Sequence, residues 1–238
     1  MIESNVSSRP PRIAINCDVE SGERPRAFAY LWYVDFVVAH GGQPVIVPPS
    51  PGAESLLDLC DGVLLIGGDD YRAANVDGRE PERFVAIEPR RESFDFTLVR
   101  EAQRRDLPTL GICAGFQLQV LADGGSIHGD LGDGTLHRRA RFQDPLPRHT
   151  LEWVGTDRIA ALPAGTFEVN SHHHQGVADL PAGWEPVAMA PDGLVEAARG
   201  PGAFAFGVQW HPERSPEDPL NHAIGRAWLD AARERVRP

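Results

Sequence analysis

Short apolar runs alternate with amphipathic segments through the first half of the chain. Bounded apolar runs are typical of buried strands, and the sequence has four of them: Arg12–Cys17, Pro44–Pro48, Val63–Ile66 and the run from Leu107 up to Cys113. Three intervening segments predict helices, over Arg26–His40, Glu54–Leu59 and Arg91–Arg105. In the last of these, Phe94, Leu98 and Ala102 recur at four-residue spacing with charges between them, which indicates one buried face.

This alternation predicts an α/β fold with a mostly parallel, doubly wound sheet flanked by helices. After Gly125 the pattern changes to shorter β-like pieces, such as Thr150–Val154 and Thr166–Val169, which predict a small antiparallel extension. We expect Met1–Pro11 to be a flexible N-terminal tail and residues 12–238 to form a single domain.

Composition and charge narrow the function classes. The net charge of −11 argues against nucleic acid as a partner, because binding to phosphates needs basic patches. No apolar run is long enough for a membrane span. Three widely spaced cysteines do not form a disulfide framework, and with the polar N-terminus they favour a reducing cytoplasm.

The run from Gly111 to Phe116 carries the first candidate chemistry. It reads G-x-C-x-G, the nucleophile-elbow pattern with cysteine in place of serine, between an apolar strand and a helix predicted over Phe116–Ala122. Cys113 at a helix N-terminus would be favoured as the thiolate, and the N–H of Ala114 could point at an oxyanion. The alternative interpretation is a buried structural cysteine between two loop glycines.

A second segment near the C-terminus offers a base. His211 and Glu213 are separated by Pro212, and in an extended segment residues two apart project to the same side. Glu213 could then orient the imidazole of His211, as a carboxylate does in a catalytic triad. The alternative is a surface loop with a solvated His and Glu.

Together these motifs resemble a known group of enzymes. GICAGFQ at 111–117 followed by GVQWHPE at 207–213 is similar to the class I glutamine amidotransferase superfamily, with its Cys-His-Glu triad. VNSHHHQG at 169–176, and APDGLVEA at 190–197, resemble the γ-glutamyl hydrolase-like branch, peptidase C26. The resemblance covers about Pro11 to Glu213 and implies a flavodoxin-like, class I glutaminase architecture.

The resemblance also assigns roles to individual residues. It implies that Cys113, His211 and Glu213 are catalytic, and that Gly67 or Gly68 completes the oxyanion hole with Ala114. It implies substrate-binding or supporting roles for four more residues: Gln117, Ser171, His173 and His174. Arginine usually follows the nucleophile in this branch, whereas this chain has Ala114, so the difference bears on substrate choice.

The triple histidine at 172–174 suggests a metal only weakly, because no cysteine or carboxylate partner lies nearby in the sequence. We therefore expect neither a metal nor another cofactor. The expected partner is a small γ-glutamyl substrate, and a homodimer is compatible with the chain.

The preferred function is a cysteine hydrolase that cleaves γ-glutamyl amides through a thioester and releases glutamate and an amine. One alternative is a glutaminase subunit that supplies ammonia to a separate synthetase partner. Another is a non-catalytic binding protein on the same fold. That last interpretation predicts a lost triad residue, and all three are present.

Overall fold

The computed structural model describes residues 9–72, 84–138, 147–154 and 164–236. Most of the expected N-terminal tail, residues 1–8, lies outside the described residues. The strands within the described ranges are β1 (Arg12–Asn16), β2 (Asp18–Glu20), β3 (Arg26–Phe28), β4 (Gln43–Val47), β5 (Gly62–Leu65), β6 (Thr109–Ile112), β7 (Ser126–His128), β8 (Arg148–Trp153), β9 (Gly165–Asn170), β10 (Gly176–Asp179), β11 (Glu185–Met189), β12 (Val195–Gly200) and β13 (Ala205–Val208). The helices are α1 (Leu31–Ala39), α2 (Pro89–Arg104), α3 (Ala114–Ala122) and α4 (Pro219–Val236), and 3-10 helices span Ala53–Leu59 and Pro212–Arg214.

Five strands form the parallel centre of the sheet, in the order β4-β1-β5-β6-β13. The antiparallel extension continues from β13 through β12, β11, β8 and β9, while β10 pairs with β12 and β7. The predicted fold class is confirmed: a parallel sheet flanked by helices, with antiparallel strands added at one side.

The two faces of the parallel sheet bury different helices. In β1, Ile13 and Ile15 belong to one apolar cluster with residues of α1 and α4, whereas Ala14 belongs to a second cluster with residues of α2 and α3. This division follows from the strand period of two, which sends neighbouring side chains to opposite faces. No helix in the described ranges is both long and apolar enough to cross a membrane.

One predicted helix is wrong at its start. The sequence predicts a helix from Arg26 to His40, but Arg26–Phe28 forms β3 and pairs antiparallel with β2, so α1 begins only at Leu31. The hairpin takes the residues that the pattern assigned to the first helical turns, and the Arg26 guanidinium pairs with Glu20 across its two strands.

The junction between β6 and α3 is packed without room for side chains. A Cβ atom on Gly115 would lie 2.6 Å from the carbonyl carbon of Leu65 and closer still to its oxygen. A Cβ on Gly111 would lie 2.6 Å from the Gly115 carbonyl oxygen. These glycines therefore let α3 press directly on β5 and β6, which fixes where the helix begins.

We predict that Gly115→Ala lowers the free energy of unfolding by about 3 kcal/mol or more, because the methyl group would overlap the Leu65 backbone. Urea unfolding measures the loss. Gly183→Ala is the matched control: a Cβ there meets nothing within 4 Å, and its φ of +85° costs about 1–2 kcal/mol. Equal unfolding midpoints for the two variants would contradict the close packing of this junction.

Candidate active site

A cavity of about 400 Å³ opens at the carboxyl ends of the parallel strands. Ligand sites in open α/β sheets lie at this edge because the strand ends and the following helix N-termini meet there. Cys113 follows β6, the Gly67-Gly68 turn follows β5, and His211 follows β13, and all of them line the cavity. The sequence therefore predicted correctly that these three segments come together.

Cys113 has a strained backbone, with φ of 52° and ψ of −109°. Positive φ is uncommon for a residue with a Cβ, and such strain costs on the order of 1–3 kcal/mol. The Cys113 N–H donates to the Val208 carbonyl at 2.8 Å, which ties the turn to β13. Ala114 is the first residue of α3, so its N–H belongs to the donors that a helix leaves without intrahelical partners. Helix α3 starts two residues earlier than the predicted stretch from Phe116.

His211 and Glu213 are in direct contact, with 2.7 Å between His211 Nδ1 and Glu213 Oε1. Both side chains are buried. The predicted contact is present, but the predicted extended backbone is wrong: Pro212 begins the 3-10 turn Pro212–Arg214. Proline suits the first position of such a turn because it needs no N–H there.

Asn170 holds the His211 backbone from the other side of the site. Its Nδ2 donates to the His211 carbonyl at 2.8 Å, and its Oδ1 accepts the His211 N–H at 3.1 Å. The sequence analysis quoted Asn170 within VNSHHHQG without giving it a role. Its position at the end of β9 links the antiparallel extension to His211.

The surroundings of His211 stabilise its charged form. Burial by itself would lower the pKa of the imidazole, but the negative charge of Glu213 and the hydrogen bond with Cys113 outweigh burial and raise the pKa to about 9. The constellation therefore pairs a cysteine on a strained turn with an imidazole that a buried carboxylate orients and holds protonated.

The Gly67-Gly68 turn is held by groups that the sequence analysis did not single out. The N–H of Gly67 donates to the buried Tyr33 hydroxyl at 3.1 Å. Its carbonyl accepts from Arg91 Nη2 at 2.9 Å, while the preceding Ile66 N–H donates to Asn16 Oδ1 at 2.8 Å. Gly67 and Gly68 were both predicted as candidate oxyanion donors. Because the Gly67 N–H already donates to Tyr33, the two glycines differ in their hydrogen bonding in this structure.

Arg91 is fully buried beneath this turn. Its Nε lies 3.1 Å from Asp95 Oδ2 and its Nη1 lies 2.9 Å from Asp18 Oδ1. Asp95 also accepts from Asn16 Nδ2 at 2.9 Å and from the Tyr71 hydroxyl at 2.8 Å. The sequence signal for the burial of Arg91 was its spacing. Arg91 lies three residues before Phe94 and therefore on the buried face of α2.

A chain of two amides leads from α3 to the thiol. Gln117 Nε2 donates to Gln209 Oε1 at 3.2 Å, and Gln209 Nε2 lies 3.7 Å from Cys113 Sγ. Gln117 is buried and lines the cavity, as the predicted substrate role requires. Gln209 was quoted only as part of GVQWHPE, yet its amide contacts the sulfur in addition to His211.

Two of the three predicted pocket residues in the 171–174 segment line the cavity, and the third does not. His174 lines the cavity, and its Nε2 lies 2.9 Å from Asp70 Oδ1. His173 also lines the cavity but is buried. Ser171 is not brought to the cavity: its hydroxyl donates to the His137 carbonyl at 2.8 Å, behind the segment.

Charges of both signs line the cavity. Asp18, Asp69 and Asp70 line it, as do Arg138 and Arg214. Burial and the neighbouring carboxylates of Asp18 and Asp70 raise the pKa of Asp69. A wall of this composition fits a ligand that carries both an ammonium and a carboxylate group.

Comparison with known proteins gives the family. The sequence pattern described as peptidase C26 matches residues 11–213, which is most of the chain. The chain belongs to the peptidase C26 family. Its likeness to the class I glutamine amidotransferase group, expected from the motifs, is thereby confirmed, and family membership supports a hydrolase.

Named relatives agree with this membership. "Gamma-glutamyl-gamma-aminobutyrate hydrolase PuuD" of Escherichia coli is 30% identical over 222 residues, which cover 86% of this chain and 86% of that protein. "Putative glutamine amidotransferase Rv2859c" of Mycobacterium tuberculosis is 35% identical over 218 residues, covering 87% of this chain and 68% of that protein.

A solved structure shares the fold of this chain. The "putative gmp synthase subunit a protein" of Thermoplasma acidophilum superposes with a TM-score of 0.67, at 18% identity and with 95% of this chain and 96% of that chain covered. At this identity the likeness concerns the fold alone. In this protein the fold brings Cys113 and His211 to one cavity, and Glu213 contacts His211 without lining the cavity itself.

We predict that the contribution of His211 to the stability of the folded protein is lost as the pH rises through 9. Its folded pKa of about 9 exceeds the ordinary value of 6.5, so its contribution is complete below about pH 6.5 and is lost above pH 9. The difference corresponds to on the order of 3 kcal/mol. Urea unfolding between pH 6 and 9.5 measures it by comparison with His211→Gln.

The exposed His222 provides the control, since His222→Gln should follow the wild-type pH profile. A stability gap between wild type and His211→Gln that stays constant over this pH range would refute the stabilised imidazolium.

Proposed function

We propose that this protein hydrolyses γ-glutamyl amides through a thioester on Cys113. The observation that carries the proposal is the contact of 2.7 Å between His211 and Glu213, next to a cysteine on a strained turn at a helix N-terminus. A nucleophile, a base and an orienting carboxylate are the parts that covalent acyl transfer requires.

In the first step, the Cys113 thiolate attacks the γ-amide carbonyl carbon. The carbonyl oxygen becomes an oxyanion, which we assign to the N–H groups of Ala114 and Gly68, because the Gly67 N–H already donates to Tyr33. One such donor is worth about 3 kcal/mol in the transition state. His211 then protonates the departing amine as the C–N bond breaks.

In the second step, water attacks the thioester carbonyl. His211, now neutral, takes a proton from the water, and the C–S bond breaks to release glutamate and the thiolate. Glu213 holds the imidazole in one orientation through both steps and stabilises its charged form.

The charges of the cavity wall support a γ-glutamyl substrate. We assign the α-ammonium group to Asp18 and Asp69 and the α-carboxylate to Arg138 and Arg214. Gln117, His173 and His174 line the same cavity and would complete the pocket, while Ser171 would act indirectly through the His137 carbonyl. The relative named as a γ-glutamyl-γ-aminobutyrate hydrolase adds support for this substrate class.

We predict that Cys113→Ala abolishes glutamate release, with a loss of about 10⁴-fold or more, because no other group can form the thioester. The measurement is glutamate release from purified protein with γ-glutamyl-γ-aminobutyrate, γ-glutamyl diamines and glutamine as substrates. The control is Ser55→Ala, a change of similar size at an exposed position, which should retain full activity. Unchanged activity of Cys113→Ala on its best substrate would overturn the mechanism.

The same panel separates the two enzyme functions. Turnover of one or more γ-glutamyl amides above that of glutamine supports the stand-alone hydrolase. Turnover of glutamine alone, rising only when a synthetase is added, would instead support the ammonia-donating subunit.

We predict that Glu213→Gln lowers kcat by about 10³-fold with little change in KM, because the amide cannot stabilise the imidazolium although it keeps the shape of the side chain. Steady-state kinetics on the best substrate of the panel measure the effect. Glu217→Gln, a matched change at an exposed position four residues away, should leave kcat unchanged. Equal kcat values for the two variants would exclude Glu213 from the reaction.

A further inference from the structure

Four buried side chains converge beside the active site: His137, His149, His173 and Glu196. One nitrogen or oxygen atom of each lies within 4.8 Å of those of the others. The residues come from four separate segments, since His137 follows β7, His149 is in β8, His173 follows β9 and Glu196 is in β12. The proposed reaction uses none of these four groups as a reacting atom.

These groups meet without bonding to one another. Glu196 Oε1 lies 3.2 Å from His137 Nδ1, 3.5 Å from His173 Nε2 and 3.7 Å from His149 Nε2. Among the residues that the structure describes, neither oxygen of Glu196 has a hydrogen-bond partner, and the same holds for these three nitrogens. Buried polar atoms are seldom left in this state, because each such atom has lost its hydration without gaining a hydrogen bond in return.

The opposite nitrogen of each imidazole explains the arrangement. His149 Nδ1 faces the Thr150 carbonyl at 3.0 Å, and His173 Nδ1 faces the Gln175 carbonyl at 2.8 Å. A carbonyl oxygen can only accept, so in the neutral imidazoles these two nitrogens carry the proton and the Nε2 atoms have lone pairs. His137 Nε2 likewise faces the Asp192 carboxylate at 2.9 Å, which leaves a lone pair on Nδ1.

Three lone pairs and a carboxylate thus point at one buried place. Such an arrangement is repulsive unless a cation lies among them. A histidine that donates its outer N–H to a carbonyl or carboxylate is also the usual form of a metal ligand, because the outer bond fixes the tautomer and the ring orientation.

We propose that His137, His149, His173 and Glu196 bind a divalent metal ion, with zinc as the preferred ion. A tetrahedral zinc ion with ligand bonds of about 2.0–2.1 Å separates its ligand atoms by about 3.4 Å. The three distances from Glu196 Oε1, between 3.2 and 3.7 Å, bracket this value. Three imidazoles and one carboxylate, without sulfur, suit zinc.

The site is a structural one, because four protein ligands close a tetrahedral zinc ion and leave no position for substrate. The ion would fasten the segment of His137, and with it the cavity residue Arg138, to β12. It would also anchor His173 beside His174, which lines the cavity. On the opposite side, the Glu196 carbonyl accepts the N–H of Gln209, whose side chain contacts Cys113.

The proposal gives a function to a motif that the hydrolysis leaves unexplained. APDGLVEA at 190–197 contains Glu196 as a ligand and Asp192 as the partner of His137. With two carboxylates and neutral imidazoles, a divalent ion brings the local charge to zero. The rival occupant of this place is a proton, which would make one imidazole an imidazolium paired with Glu196.

Metal content tests the proposal. The Cys113→Ala protein, produced without a histidine tag in zinc-supplemented medium, removes the thiolate as a competing ligand, so the result does not depend on the proposed hydrolysis. Elemental analysis should give one zinc per chain. Glu196→Gln in the same background should retain less than about a tenth of that amount. His128→Ala, at an exposed histidine on β7, should keep the full equivalent.

A second measurement avoids the variants, in case Glu196→Gln does not fold. Removal of metal from Cys113→Ala by a chelator, followed by titration with Zn²⁺, should raise the unfolding temperature by at least about 5 °C, with saturation at one equivalent. Co²⁺ in place of Zn²⁺ should give the visible absorption of a tetrahedral ion. Zinc below about a tenth of an equivalent, together with an unfolding temperature that Zn²⁺ does not change, would overturn the proposal in favour of the proton.

Discussion

The backbone of Cys113 holds a positive φ, and the packing on either side of it keeps that conformation. Strand β6 lies between β5 and β13, so the chain enters the turn at a fixed place in the sheet. Helix α3 leaves the turn in contact with the Leu65 backbone, because Gly115 has no side chain. A relaxed backbone at Cys113 would therefore need α3 to move away from both strands, and the buried contacts of the helix oppose this movement.

Much of this arrangement was predictable because it depends on short-range pattern and on topology. Apolar runs ending before Gly67 and at Cys113 predict parallel strands, and parallel strands bring their carboxyl ends to one edge. The start of α1 was not predictable, because the pairing of Glu20 with Arg26 competes with the helix and is a contact between strands. The cavity wall itself was only partly anticipated, since Ser171 faces away from it.

The polar interior was missed for a different reason. Arg91 contacts Asp18 and the Gly67 carbonyl, which are remote in sequence, so its spacing within α2 does not reveal these partners. The histidine cluster has the same character. His173 looked unaccompanied because its partners Glu196 and His149 lie on other strands, and the sequence therefore favoured no metal. The spacing of residues in a motif indicates which helix or strand a residue belongs to. It does not indicate which residues from other segments contact it in the folded protein.

The order of strands in the sheet has an evolutionary consequence. Cys113 and His211 follow adjacent parallel strands, β6 and β13, while Arg138 and His174, on the cavity wall, belong to segments connected with the antiparallel extension. Insertions or replacements in that extension can reshape the wall without altering the spacing between thiol and imidazole. A family built this way can vary the wall of its cavity while the relative placement of the thiol and the imidazole stays the same.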